Sequence, residues 1–167
     1  MVALNLPEIK NFMNQLLCTG TFDNFLLREA VIQGNVTWSL DGSITPDFYS
    51  TDETETLGIS GLSFLPFGQI RPACYQLIKG KRTPSYFKFV FLLAPDALSR
   101  TLEQTHSSFT AEDITGMFFN LIFRQGKLML TTGISYRIFS ADKSLDAEWD
   151  ALMGKFLKNH GISFENL

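Results

Sequence analysis

Two stretches of this chain follow the same order, and that order limits the fold more than any bulk property does. Pro7-Glu8-Ile9 opens an amphipathic stretch, followed by an apolar strand, the turn Gln33-Gly34-Asn35 and a second alternating strand. Pro95-Asp96-Ala97 opens another, and it too runs on through a strand, Gln125-Gly126-Lys127 and a further strand. Proline suits the first helical position because its missing N–H would have no partner within the helix. Ile9, Phe12, Met13, Leu16 and Leu17 recur at helical spacing and share one stripe. Val36, Trp38 and Leu40 alternate with Thr37 and Ser39, the pattern of a half-buried strand.

Phe87, Phe89, Phe91 and Leu93 give the clearest strand of the chain. Cys74–Lys79 and Tyr86–Leu93 are expected to form a hairpin around Gly80-Lys81-Arg82-Thr83-Pro84. Three strands are expected over Met117–Arg124, Lys127–Thr132 and Ile134–Phe139. Leu145, Trp149, Leu152, Met153, Phe156 and Leu157 predict a final helix, closed near Gly161. The fold class is therefore α+β: a duplicated βαβββ unit, antiparallel sheets with helices on one side, and a C-terminal helix. A single domain is expected over 1–167. Its parts are a first half-unit at 1–42, an irregular insertion at 43–72, a second half-unit at 73–142 and the C-terminal helix at 143–161.

A chain of 167 residues with 16 Phe can bury a substantial core. No apolar run approaches the roughly 20 residues that span a bilayer. The first residues lack a basic segment followed by a long apolar one, so no secretory signal is expected. Cys18 and Cys74 lie far apart without a CxxC pairing and read as reduced thiols, which points to the cytoplasm. The net charge of −3 is unevenly spread: residues 1–60 carry eight acids and two bases, and residues 61–100 carry one acid and six bases.

The segment Phe89-Val90-Phe91-Leu92-Leu93-Ala94-Pro95-Asp96-Ala97-Leu98, with Phe118–Phe123, Gln125–Thr131 and Tyr136-Arg137-Ile138 after it, resembles the half-unit repeated within DNA sliding-clamp domains. That resemblance implies a clamp-like fold. It does not carry clamp function over. Clamp helices present Lys and Arg to phosphates, whereas Glu8, Lys10, Asn11, Asn14 and Gln15 sum to neutral here and Asp96, Ser99, Arg100, Glu103 and Gln104 to −1. The wording Asp23-Asn24-Phe25-Leu26-Leu27, Leu77-Ile78-Lys79-Gly80-Lys81 and Asp142-Lys143-Ser144-Leu145 is similar to an uncharacterised family of hypothetical proteins from Gram-positive anaerobic bacteria. That likeness implies no activity and no site residues.

Two surfaces stand out as candidate sites. Lys79, Lys81, Arg82 and Lys88 gather cations beside Tyr86 and Phe87, a mixture suited to a phosphate-bearing or single-stranded ligand. The plain alternative is a hairpin tip whose lysines guard an edge. Phe48, Tyr49, Phe64 and Phe67 place aromatics in the acidic 43–72 segment as a partner contact, the plain alternative being a long connection whose apolar residues cap the sheet. His106 and His160 have no ligand at metal spacing. There is no phosphate-cradling glycine loop and no nucleophile motif. The expected function is a non-catalytic protein-binding or assembly protein, acting on a protein partner or as a homo-oligomer, with no cofactor and no membrane. A nucleic-acid accessory protein using residues 79–88, and a pocket protein or enzyme using the 43–72 segment, are the alternatives.

Overall fold

The computed structural model describes residues 1–167 throughout. Seven antiparallel strands form one open sheet: β1 (Ala3–Asn5), β2 (Leu26–Gln33), β3 (Thr37–Asp41), β4 (Tyr86–Leu92), β5 (Ile114–Arg124), β6 (Lys127–Tyr136) and β7 (Glu165–Asn166). Their order across the sheet is β3-β2-β4-β5-β6-β1-β7. Five helices join them: α1 (Ile9–Cys18), α2 (Thr51–Leu57), α3 (Phe67–Ile78), α4 (Pro95–Gln104) and α5 (Ser144–Asn159).

Register explains the core. Because side chains alternate, directly paired residues lie on one face. Leu27, Phe91 and Phe119 align across β2, β4 and β5, as do Ala30, Phe89 and Leu121, and Ile32, Phe87 and Phe123. The same face continues into β6 through Leu130 and Leu128. Phe67 of α3 meets Phe89 and Phe91 edge-on, with ring centroids 6.1 and 5.1 Å away. Phe12 of α1 reaches Phe22, which contacts Phe91, Phe119 and Phe156 of α5. Leu98 and Leu102 bring α4 into the same 29-residue cluster. Only α2 buries nothing.

Polar ties fix the helices on this face. Arg71 of α3 donates through Nε and Nη2 to the two oxygens of Asp23, at 2.8 and 3.2 Å, and through Nη1 to the Leu17 carbonyl at the end of α1. Thr132 of β6 donates to Asp150 of α5, Tyr136 donates to Asp146 at 2.7 Å, and Trp149 Nε1 donates to the Phe118 carbonyl at 3.0 Å.

Several expectations need correction. Cys74–Ile78 is the second half of α3, so no hairpin joins it to β4, and the irregular segment ends at Pro66 instead of residue 72. Ile134–Tyr136 continues β6 unbroken, and Phe139 lies outside any strand. β7 was not anticipated. The repeated order does not yield a symmetric sheet either. The helix-preceding strand of the second unit, β4, sits between β2 and β5, while its counterpart β1 sits between β6 and β7. Only the hairpins β2–β3 and β5–β6 correspond.

Candidate functional site

The buried helices pack on the Phe87–Phe89–Phe91 face, and on the opposite face only α4 comes near, at the Leu92 end through Leu98. The rows of that opposite face follow from the register. Gln33, Tyr86, Arg124 and Lys127 form one row at the hairpin end; Val31, Lys88, Ile122, Met129 and Asn5 form the next; Glu29, Val90, Asn120, Thr131 and Ala3 form a third. Leu92, Phe118 and Gly133 come last. In the central rows Val90 is buried at 7% exposure, and Val31, Ile122 and Met129 remain partly open to solvent. Ile122 and Met129 are therefore side by side at the surface, with Lys88 between them and Val31, even though they belong to central strands.

Phe118 owes its pose to Gly133. A Cβ at residue 133 would stand 2.5 Å from Phe118 Cζ, so the ring lies over the glycine and closes the gap it leaves in β6. This is a recurrent remedy for a strand glycine.

The charged groups of this face are ordered by row. Lys88 Nζ lies 3.2 Å from Glu29 Oε1 on the neighbouring strand, a bridge exposed enough to contribute at most about 1 kcal/mol. Arg124 stacks over Tyr86, 5.4 Å from the ring centroid, and pairs with Lys127 across the β5–β6 turn. Lys79, Lys81 and Arg82 lie in the connection leading into β4 at the same end, and Lys79 lies over the Tyr75 ring at 5.8 Å. The four cations singled out in the sequence thus divide. Lys88 is neutralised by Glu29, and the loop cations instead share their end of the sheet with Arg124 and Lys127. Those two were missed because they lie far along the chain, and only strand register brings them alongside Tyr86.

The aromatic set of the 43–72 segment also divides. Phe67, the first residue of α3, is fully buried and is a core residue, with no surface to offer a partner. Phe48 is 72% exposed and packs edge-on with Tyr49 at 4.9 Å. Phe64 is half-buried and pairs with Ser43 in an isolated bridge. It forms one wall of a cavity of about 310 Å³ at the Leu92–Gly116 end of the open face, together with Gly61, Ser63, Leu26, Leu98 and Arg137. A concave space does lie beside the 43–72 segment. Its wall carries a single charged group, Arg137, which already donates to the Glu112 carbonyl at 3.0 Å.

No group of three or more His, Cys, Asp or Glu side chains is placed to hold a metal ion. His160 Nδ1 lies 2.8 Å from the Phe156 carbonyl and, since a carbonyl only accepts, donates to it, closing α5. Burial pushes the Cys74 thiol up to about 12, so it is an inert core group, whereas Cys18 is exposed.

Residues 15–165 match the sequence pattern described as a family of unknown function, DUF5721. The chain belongs to that family. No curated protein and no solved structure matches it. No helix in it is long and apolar enough to cross a membrane.

Proposed function

We propose that this member of DUF5721 is a non-catalytic binding protein that docks a protein partner on the open face of its sheet. The observation that carries the reading is the adjacent pair Ile122 and Met129, left partly open to solvent with Val31 beyond Lys88 in the same row, among polar groups and with cations at one end. A protein interface has this anatomy: an apolar middle enriched in Met, aromatic and Arg side chains, inside a polar rim. Arg124 and Lys127 favour a partner that sets an acidic group at the hairpin end.

A photo-crosslinking residue placed at Ile122, and separately at Met129, tests this in extracts of the source cells. Both positions should capture the same single protein, while the label at Thr56 of α2 should not. Arg124→Glu with Lys127→Glu should weaken that capture at least tenfold. The reading is overturned if neither face position yields an adduct above the Thr56 control.

A second reading has an observation of its own. Arg124 and Lys127 enlarge the basic end that Lys81 and Arg82 begin, beside the Tyr86 ring. Charge with a stacking platform is the composition of a single-strand binder. This reading expects salt-dependent anisotropy changes with a short DNA or RNA oligonucleotide, lost in Lys81→Glu with Arg82→Glu. Absence of binding to both at low salt removes it.

A further inference from the structure

The two edges of the sheet are built differently. One ends in β7, two residues long and opening with Glu165, which is a blunted edge. The other ends in β3, which contains no Lys, Arg or Pro and shows Trp38 at 46% exposure, with Val36 just before it at 52%. Nothing in the chain pairs with its outer side.

The hydrogen-bonding phase of that edge can be read from its neighbours. Gly34 N–H donates to the Val36 carbonyl and Gly42 N–H to the Arg28 carbonyl, so even-numbered residues of β3 turn their backbone groups toward β2. In an antiparallel ladder the phase alternates residue by residue. Thr37, Ser39 and Asp41 therefore present their N–H and C=O groups outward, unpaired.

We infer that β3 pairs with β3 of a second copy about a two-fold axis through Ser39, joining two sheets into one of fourteen strands. That register places Ser39 opposite its own counterpart and Thr37 opposite the partner's Asp41, and it satisfies every outward N–H and C=O of the three residues in both copies. No shifted register does so. Trp38 then stands opposite the partner's Leu40 on the helix-bearing face, twice by symmetry, the kind of cross-strand apolar pair that stabilises sheets. On the other face the Thr37 hydroxyl meets an Asp41 carboxylate that spends only one oxygen on Ser43 N–H. The two Asp41 side chains fall roughly 14 Å apart along the strands, beyond the screening length of about 8 Å at physiological salt. A two-fold contact is isologous and closes on itself, so the assembly stops at two. The open face is left free, and this inference stands or falls independently of what docks there.

Sedimentation of the full chain should give twice its mass of 18.8 kDa. Ser39→Pro removes an N–H that faces solvent in the single copy, a position where edge proline is tolerated. It should give a folded monomer with an unchanged circular dichroism spectrum. Ser39→Asp sets two like charges opposite each other and should raise the dimer dissociation constant at least tenfold, so the test survives if the proline variant does not fold. A wild-type chain that stays monomeric at high concentration overturns the inference, as does a dimer indifferent to both variants.

Discussion

Gly42 is the residue at which the backbone has least freedom to accept a side chain. A Cβ there would stand 1.7 Å from the Leu27 carbonyl oxygen, because residues 64–66 draw the end of β3 against the bulge in β2. Gly42→Ala must push backbone from backbone, and a loss of about 3 kcal/mol in urea unfolding is expected. The same scale holds a pH dependence. Burial raises Cys74, and burial together with the hydrogen bond to Asp146 raises Tyr136. Each is protonated in the folded chain at a pH where the unfolded chain has lost the proton. Their contributions are whole below the unfolded values, 9.0 and 10.0, and fall as pH rises past them. Equilibrium unfolding between pH 9 and 11 should therefore show stability decreasing with pH, with a shallower slope in Cys74→Ala combined with Tyr136→Phe. At neutral pH a thiol reagent should label Cys18 at once and Cys74 only when the chain unfolds.

Among the elements, α3 depends on one ion pair more than on its own sequence. Pro72 interrupts its hydrogen bonding, and it has no side-chain N-cap. Arg71 holds it to Asp23 and to the end of α1, and Gly68 packs so closely that an added Cβ would lie 3.0 Å from Asp23 Cβ. Arg71→Ala should cost about 2 kcal/mol, the range for a charge-assisted pair that leaves its partner half-buried, read by chemical denaturation. α2 is the opposite case: no buried residue, but a capping box in which Glu53 N–H donates to Ser50 Oγ and Ser50 N–H to Glu53 Oε1, both at 3.2 Å. Ser50→Ala should lower hydrogen-exchange protection over residues 51–57 by about 1 kcal/mol and leave the global transition in place. These two helices also mark where sequence reading stops. Pro72 and Gly68 are helix breakers by propensity, and α3 forms in spite of them because Arg71 is tied to Asp23 and Phe67 is buried against Phe89. α1 and α5 were legible because their apolar periods are complete, and β4 because Phe87, Phe89 and Phe91 alternate without interruption. Gly133 reads as a strand end, but the Phe118 ring carries the strand across it.

For the molecule as a whole, the pattern of residues shows that one face of each strand is apolar. It does not show which face the helices take. Val31, Ile122 and Met129 are apolar enough to suit either face, and only the placement of the buried helices beneath Phe87, Phe89 and Phe91 leaves them outside. The same holds for the basic end: Lys81 and Arg82 are visible as neighbours in the chain, while Arg124 and Lys127 join them through pairing alone. The captures at Ile122 and Met129 and the mass of the Ser39 variants examine two separate surfaces, so each result speaks to one of them.

The place of β1 has a consequence in time as well as in space. Leu4 pairs with Leu130 on one side and with Asn166 on the other, so a strand made before the other six of its sheet is among the last to find its neighbours. The hairpin β2–β3 and then β4 and β5 can zip together as they emerge, whereas Leu4 and Leu6 wait for nearly the whole chain. Such distant pairing slows folding, and it leaves Leu4 and Leu6 without their strand partners until β6 has been made. A nascent chain stalled before β6 should hold its N-terminal strand unprotected, and release should be followed by a slow phase in which that strand alone gains protection.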